Sequence, residues 1–511
     1  MKASTKVVLN TVISYVKIGM TMLITLFTTR YALDALGVTD YGLYNLIAGI
    51  VALLAFFNSA LTVSTQRYLS FNQGMSGISL QKEVFQSSLI LHVIIGLVIV
   101  GIMELAGLVI FDGFLNIPTD KIDTAIYIYH FLAVSILFTV LATPFTASIN
   151  AHEELHWIAL VNIGEVLIKL GIALTLYYVE EDRLLVYGIL IPSISILIFF
   201  IYALIGFKRY QECSLTEFRH INFSKMKEMS AYAGWNLFGS MAGLARSQGI
   251  AVMFNLFYGI GINAAYAICI QVELKVRFLS ASLMQVLNPQ IMKSEGAGDR
   301  ERMLQLSMMA SKFGFFLVAI VSIPMIFEME EVLGVWLKEI PDFTVVFCQL
   351  TLLATLFNQL TVGLQSALQA TGRIRKYLSV VGSLILLNLP IAYGLLAYGS
   401  APQTVLVSFV LIELAASLLR IYFINSVANL SYMTFYKRVI RREILPTLAS
   451  IGVCWGIIIN IDLEYRFLLT GFMSTVTFVF FAYFFGLENK EKTVINKLIL
   501  SFKEYYRIRI N

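Results

Sequence analysis

Residues 84–111 read VFQSSLILHVIIGLVIVGIMELAGLVIF, and this stretch decides the class of the fold. It contains a single acidic residue, Glu104, and no lysine or arginine. An apolar helix of about 20 residues, at 1.5 Å per residue, crosses a hydrocarbon core of roughly 30 Å. The stretch is therefore long enough to span a bilayer, and comparable apolar runs recur along the whole chain of 511 residues.

The composition of the chain extends this interpretation to the whole protein. Hydrophobic residues make up 58% of the chain and charged residues only 14%, with a mean hydropathy of +0.79. A soluble domain carries about a quarter charged residues, so this chain has too few charges to cover a water-facing surface of its size. The composition indicates a polytopic membrane protein and excludes a soluble enzyme, a nucleic-acid-binding protein and a secreted disulfide scaffold.

The apolar runs predict an all-α fold of about fourteen transmembrane helices. Several exceed the minimum length and are expected to tilt in the bilayer. The predicted spans are 7–29, 41–64, 84–111, 124–150, 156–178, 184–207, 231–257, 263–287, 304–327, 343–369, 377–398, 403–425, 445–461 and 466–486.

The distribution of basic residues predicts the orientation of these spans. With the N-terminus inside, 25 of the 37 lysines and arginines fall on cytoplasmic segments, 5 on external ones and 7 within spans. Cytoplasmic loops of membrane proteins carry an excess of lysine and arginine. We therefore expect both termini to lie in the cytoplasm and the protein to be a multi-pass protein of the bacterial cytoplasmic (inner) membrane.

A weak internal repeat relates the first and second parts of the chain. Gly37, Tyr44 and Gly74 match Gly259, Tyr266 and Gly296, all three at one constant separation. The tripeptide 149–151 resembles 368–370 at nearly the same separation. Six spans fall in each repeat, and six is an even number, so both repeats should insert in the same orientation. Parallel repeats of this kind are typical of transporters whose halves move against each other.

The repeat predicts two pseudo-symmetric six-helix lobes followed by two extra C-terminal helices. The predicted segments are an N-terminal lobe over 1–207, a cytoplasmic linker over 208–229, a C-terminal lobe over 230–425, the extra helices over 426–486 and a basic cytoplasmic tail over 487–511.

Charged side chains within spans are candidates for function because each is costly to insert into a bilayer. Five deep cations lie roughly 15–23 Å from the cytoplasmic helix ends at 1.5 Å per residue. They are Lys17, Lys169, Arg246, Lys275 and Arg277. Guanidinium and ammonium groups at one depth are suited to binding an anionic headgroup such as a diphosphate. We therefore predict a cationic binding site near the middle of the membrane.

The deep acids are Glu165, Glu273 and Glu413. Glu165 precedes Lys169, and Glu273 precedes Arg277, by four residues, which places each pair on one helix face. These acids form structural ion pairs, or they exchange partners with Na⁺, a proton or substrate phosphate during transport. Arg420, about five residues from the cytoplasmic end of its span, is expected to extend its side chain to the membrane surface.

Three segments give the chain a family resemblance. They are TRYALDALGVTDYGLYNLIAG (Thr29 to Gly49), NPQIMKSEGAGDRERM (Asn288 to Met303) and ALQATGRIRKY (Ala367 to Tyr377). Together with the pattern of twelve plus two helices, they resemble the bacterial polysaccharide flippases, which move O-antigen or capsule repeat units, of the multidrug/oligosaccharidyl-lipid/polysaccharide exporter superfamily. The resemblance covers nearly the whole chain.

The resemblance implies transport of an undecaprenyl-diphosphate-linked oligosaccharide repeat unit from the cytoplasmic to the periplasmic leaflet, by alternating access, for surface polysaccharide or lipopolysaccharide biosynthesis. It implies no cofactor beyond a coupling ion, Na⁺ or H⁺, and a glycan polymerase complex as a partner besides the lipid-linked substrate and the bilayer. Related flippases place basic residues in the first helix and in the first helices of the second lobe, where Lys17, Arg246 and Arg277 lie.

Two alternatives stand beside this interpretation. An ion-coupled multidrug exporter of the same superfamily would need acids facing organic cations, but no acid precedes residue 30 and the five deep cations outnumber the three deep acids. A membrane enzyme is suggested by His152-Glu153-Glu154-Leu155-His156, which fits the zinc-protease pattern H-E-x-x-H. The segment falls at a predicted cytoplasmic turn and lacks a third ligand, so we expect no metal site, no enzyme, and silent His152→Ala and Glu153→Gln variants.

Overall fold

The structure is a computed structural model, and it shows an all-helical chain over the residues it describes. Those residues are 3–52, 55–75, 77–114, 117–180, 182–214, 222–337, 339–489 and 491–493. The middle of the predicted linker, 215–221, and most of the predicted tail, 494–511, lie outside them. The predicted all-α class of the fold is confirmed.

The chain divides into two compact units. The first unit comprises Lys6–Ser240 and Met292–Asp299. In this unit α4 packs against α2, α3 and α6, and the hydroxyl of Tyr129 on α4 donates to the carbonyl of Met103 at 2.6 Å. Its helices are α1 (Ala3–Ala52), α2 (Ala55–Gly74), α3 (Ile78–Val109), α4 (Ile122–Ala151), α5 (Leu155–Thr175), α6 (Arg183–Arg209) and the first half of α7 (Phe223–Tyr258).

The second unit comprises Met241–Ile291 and Arg300–Asn511, together with Met1–Thr5. Its core contains the stacked rings of Phe254 and Phe347, whose centroids lie 5.2 Å apart. Its helices are the second half of α7, α8 (Ile260–Gly296) up to Ile291, α9 (Arg300–Phe327), α10 (Met329–Trp336), α11 (Thr344–Gln359), α12 (Val362–Thr371), α13 (Arg375–Ala397), α14 (Gln403–Ala428), α15 (Tyr432–Phe435), α16 (Arg441–Asn460) and α17 (Arg466–Phe481).

Within the described residues, nine helical segments are long and apolar enough to cross a membrane, or ten if the bent pair α11–α12 counts as one span. They coincide with ten of the predicted spans. Of the remaining predicted spans, 7–29 falls within α1, 231–257 within α7 and 263–287 within α8. The span 41–64 covers the end of α1 and the start of α2, and its residues 53–54 lie outside the described residues. Among the described residues, each predicted span is therefore mostly helix, although the boundaries differ by several residues.

The repeat in the sequence has counterparts in the backbone. Gly37 interrupts α1, where the sequence predicts a loop between two spans, with φ 76° and ψ 168°. Its match Gly259 separates α7 from α8 with φ 80°. Glycine adopts such left-handed angles without the steric cost that a Cβ atom imposes. The two matched glycines thus make equivalent breaks.

Gly74 and Gly296, the other glycine match, contact each other's helix ends within the first unit. A Cβ atom on Gly74 would collide with the backbone oxygen of Lys293, and one on Gly296 would collide with the backbone oxygen of Phe71. The C-terminal turns of α2 and α8 therefore cross at backbone contact. Only glycine at both positions permits this crossing without a shift of the helices.

The division between the units falls inside α7, after Ser240. The two predicted extra helices correspond to α16 and α17, which pack on each other and on α9. They are part of the second unit.

Candidate functional site

A break in the predicted span 343–369 marks the site. The sequence predicts one helix, but α11 ends at Gln359 and α12 begins at Val362, with a bend of 44° between them. The break exposes polar groups at membrane depth, and each finds a partner. Gln359 accepts a hydrogen bond from Ser280 of α8 at 2.5 Å, and Asn358 donates to α14. Irregular backbone within a membrane is tolerated where it is buried in protein.

A buried ion pair lies beside this break. Arg246 of α7 donates through Nη2 to Oε1 of Glu413 on α14, at 2.7 Å, with the two side chains only 9% and 6% exposed. Asn358 donates to Oε2 of Glu413 at 3.0 Å. The guanidinium of Arg246 also lies over the ring of Phe409, 4.0 Å from its centroid. Both oxygens of Glu413 are therefore held by protein donors.

A second ion pair on α8 has a different exposure. Arg277 donates to Oε1 of Glu273 at 3.1 Å, closing the pair expected from their four-residue spacing. Glu273 is 10% exposed, whereas Arg277 is 49% exposed. The carboxylate is thus fixed in the protein, while its cation is accessible and able to turn toward another anion.

The two ion pairs line one small pocket in the second unit. The pocket has space for about one water molecule. Within the described residues, Nε and Nη1 of Arg246 are buried donors without an acceptor. A buried donor without a partner carries a desolvation cost of about 1–3 kcal/mol, so this guanidinium retains capacity to bind an oxygen ligand. The pocket is lined by Arg246, Glu273, Arg277, Ala354, Thr355, Asn358, Phe409 and Glu413.

Arg420 corrects an expectation from the sequence. The sequence predicts that it reaches the membrane surface, but its side chain is 4% exposed. It donates to the hydroxyl of Thr361, in the break between α11 and α12, at 3.2 Å, and to the hydroxyl of Tyr377 at 3.4 Å. The broken helix supplies an acceptor inside the protein, so the guanidinium has no need to reach water.

The remaining predicted site residues lie elsewhere. In the first unit, Lys169 donates to Glu165 on α5 at 2.6 Å, and both side chains are partly exposed. Lys17 is partly buried on α1 and has no ion pair among the residues that the structure describes. Lys275 is exposed on α8 and is not among the residues lining the pocket. The structure thus gathers Arg246, Arg277 and two acids into one site, and leaves the three lysines outside it.

The H-E-x-x-H segment forms a turn rather than a helix. α4 ends at Ala151 and α5 begins at Leu155, so His152 and His156 do not share a helical face. Glu153 adopts a left-handed φ of 58°, and Gly372 has the equivalent conformation with φ 74°. These two residues are separated in sequence by the same distance as the matched tripeptides 149–151 and 368–370, so the turn is a feature of the repeat.

His152 has protein partners on both ring nitrogens. Nε2 lies 2.8 Å from Oε1 of the buried Glu212, and Nδ1 lies 3.0 Å from the amide of Gln73. The ring stacks on Tyr210 with centroids 4.4 Å apart. Burial alone would raise the pKa of the neighbouring Glu154, but the hydroxyl of Tyr210 and the charge on Arg209 hold that pKa below its usual value. The segment is a structural junction, and no nitrogen of His152 is left for a metal.

Solved structures with a similar fold include several MATE transporters. A MATE transporter in the bent conformation superposes with a TM-score of 0.72 at 12% identity, covering 86% of this chain and 99% of its own. The chain has a MATE-like fold. An outward-facing multidrug-resistance MATE family transporter of the MOP superfamily gives 0.70 at 13% identity, covering 86% and 97%.

A third structure with the MATE/MOP fold is a MOP superfamily transporter from Pyrococcus furiosus, described by a reverse polarity of its binding pocket that suggests a different function. It gives a TM-score of 0.71 at 12% identity, covering 84% of this chain and 96% of its own. No protein-family model matches the chain, and no curated protein sequence matches it.

The residues that join the charges of the site are not predicted from the sequence: Asn358 and Phe409 have no predicted role, and Glu413 has no predicted partner. A signal is nevertheless present: Asn358, Gln359 and Thr361 bring three polar side chains close together inside a predicted span, and Gly363 follows. Such a cluster indicates a helix break with internal partners, as discontinuous helices of this type often show.

Proposed function

We propose that the protein is a membrane transporter that moves an undecaprenyl-diphosphate-linked oligosaccharide across the cytoplasmic membrane by alternating access, for surface polysaccharide biosynthesis. The observation that supports this most is the pair of arginines at one pocket, Arg246 with two unused buried donors and Arg277 half exposed. The fold shared with MATE/MOP transporters supports the transport part of the proposal.

The diphosphate is the group of the proposed substrate that the pocket would recognise. Guanidinium groups bind phosphate through paired N–H donors, with more specificity than the point charge of an ammonium. Arg277 would leave Glu273 for the phosphate, and Arg246 would use Nε and Nη1 while Nη2 stays on Glu413. Three lysines lie outside the pocket, and we propose that they make secondary contacts with the substrate along its transport path: Lys17, Lys169 and Lys275.

The exchange of Arg277 from Glu273 to the phosphate also provides a binding site for the coupling ion. The pocket contains two arginines and two glutamates, so its formal charge is zero before substrate arrives. A phosphate that draws Arg277 away leaves Glu273 buried without its counter-charge, and burial disfavours the charged form of a carboxyl group. Uptake of a proton or Na⁺ at Glu273 would then compensate, which makes Glu273 a better candidate for coupling than Glu413 or Glu165.

The test of the proposed function is complementation of surface glycan in the source bacterium with its own gene deleted, at matched expression. We expect Arg277→Ala to abolish surface glycan. Arg277→Lys should retain part of it, because lysine keeps the positive charge but lacks the paired N–H donors of the guanidinium. Arg246→Ala should also abolish glycan. Lys376→Ala, which removes an exposed cation at the start of α13, is the matched control and should retain full activity.

Two outcomes would contradict the proposal. Full surface glycan with Arg277→Ala and Arg246→Ala at normal expression would remove the arginine pocket from the mechanism. Unchanged glycan in the deleted strain, combined with increased sensitivity to cationic drugs, would favour the multidrug exporter instead. The expected location, with both termini in the cytoplasm and a glycan polymerase complex nearby, is part of the same proposal.

A further inference from the structure

A buried lysine of the second unit lies at the junction of the helix bundle and the C-terminal segment. Lys312 on α9 is 2% exposed, and its ammonium donates to Oε2 of Glu491 at 2.6 Å. The same oxygen accepts the backbone N–H of Glu488 at 2.7 Å. Lys312 therefore holds the chain that follows the last span, across 179 residues of sequence.

We call this segment, residues 487–489 and 491–493, the latch. The latch and the preceding Gly486 make further contacts with α9 and α16. Arg442 of α16 donates through Nη1 to the carbonyl of Leu487 at 2.9 Å, and the side chain of Leu487 is 7% exposed. A Cβ atom on Gly486 would collide with the ring of Phe316, one turn along α9 from Lys312. Arg442 also approaches Glu488, at 3.9 Å. The latch thus joins α9 and α16.

A second buried acidic side chain, on α16, packs toward α9 and has no hydrogen-bond partner among the described residues. Glu443, next to Arg442 on α16, is 2% exposed, and neither of its oxygens has a hydrogen-bond partner among the described residues. Its side chain lines a cavity together with Phe315, three residues from Lys312 on α9, and no hydrogen bond between Glu443 and Lys312 is seen in the described part of the chain. A buried carboxyl group without a hydrogen-bond partner is costly, so a second state in which it is paired would account for its presence here.

We propose that Lys312 exchanges between two carboxylates, Glu491 when the latch is docked and Glu443 when the latch is released. In the docked state Glu443 has no hydrogen-bond partner. In the released state its carboxylate pairs with the ammonium of Lys312, which stays buried. The exchange lets the C-terminal segment leave the bundle without exposing a buried cation. The latch is thereby a conformational switch at α9, α16 and the end of the last span, independent of the arginine pocket.

Release of the latch is measured through a reporter cysteine in place of Leu487, which is buried when docked. The native cysteines Cys213, Cys269, Cys348 and Cys454 are buried, and the protein without the reporter is the labelling blank. We expect Glu491→Gln to raise the maleimide labelling rate of the reporter about tenfold or more. Glu443→Gln should lower the rate, because the released state then loses the carboxylate that pairs with Lys312. Thr493→Ala is the control, since the exposed Thr493 donates within the latch, to the carbonyl of Asn489 at 2.8 Å, and it should change the rate less than twofold.

The exchange itself is tested by the double variant. Each single change should lower the unfolding temperature only slightly, because Lys312 keeps one carboxylate. Glu443→Gln with Glu491→Gln should lower it by far more than the sum of the two, or prevent folding, because Lys312 is then buried alone. Adding Lys312→Met to the double variant should restore folding and most of the lost unfolding temperature.

Additive losses in the double variant would overturn the exchange, as would a triple variant that is no better than the double. A labelling rate that Glu491→Gln does not raise would show that Lys312 does not hold the latch. None of these outcomes depends on the substrate, so they are distinct from failure of the proposed transport function.

Discussion

The glutamates of the pocket differ in the number of donors that hold them. Glu413 accepts from Arg246 and Asn358 inside the protein, whereas Glu273 accepts from the half-exposed Arg277. Removing one partner of a buried ion pair costs about 3–5 kcal/mol, while an exposed pair contributes about 1 kcal/mol or less. We therefore expect Glu413→Gln to destabilise the protein much more than Glu273→Gln, measured by thermal unfolding in detergent.

The double variant Arg246→Met with Glu413→Gln provides the control for this comparison, because it removes both charges together. It should be more stable than Glu413→Gln alone. Equal losses for Glu413→Gln and Glu273→Gln, or a double variant as unstable as the single, would show that burial of Arg246 does not set the cost.

The structure changes the expected effect of substituting His152. The sequence predicts a silent His152→Ala, but the change would leave the buried Glu212 without its hydrogen bond from Nε2. A buried group that loses its partner costs about 1–3 kcal/mol, so His152→Ala should lower stability by that amount while Glu153→Gln has little effect. Zinc analysis of the purified protein distinguishes a structural role of His152 from a metal-binding role. Zinc that is bound by the original protein and lost in His152→Ala would contradict the structural role.

At the scale of elements, the break between α11 and α12 depends on a close approach to α9. A Cβ atom on Gly363 would collide with the backbone oxygen of Ser307, and the backbone N–H of Gly363 donates to Ser311 at 3.1 Å. Overpacking of this kind costs about 1–3 kcal/mol. We expect Gly363→Ala to reduce stability and transport together.

Gly394→Ala is the matched control for Gly363→Ala, because Gly394 lies within helix α13 with open space around its Cα. It should be neutral or slightly stabilising, since alanine favours helix over glycine by about 1 kcal/mol. If both alanine variants behave alike in thermal unfolding and in the glycan assay, the close contact does not maintain the break.

At the scale of the whole molecule, the distribution of basic residues predicts which loops face the cytoplasm. The turn between α13 and α14 is predicted external, and Tyr398 in it is 93% exposed. Lys376, at the other end of α13, is predicted cytoplasmic. A membrane-impermeant maleimide added to intact spheroplasts should label Tyr398→Cys and should label Lys376→Cys only after lysis. The reverse pattern would invert the topology and the proposed direction of transport.

The sequence alone determined the class of the fold, the approximate position of each span and the candidate charges. Apolar runs long enough to cross a bilayer have few alternatives to a membrane helix, because the backbone must satisfy its own hydrogen bonds in lipid. The i,i+4 spacing predicted the contact between Glu273 and Arg277 since both residues lie on one helix. The constant separation of the repeat identified Gly37 and Gly259, which share a conformation that favours glycine.

Only the tertiary structure decided which charges meet across helices. Arg246 and Glu413 are separated by 167 residues, and Lys312 and Glu491 by 179, so no local pattern relates them. The break at Thr361 likewise depends on acceptors and donors from α8, α9 and α14, since an isolated helix would not open its hydrogen bonds there. Local periodicity places a side chain on a face of its own helix, but packing chooses the helix that this face contacts. The arginine pocket and the latch are both products of that choice.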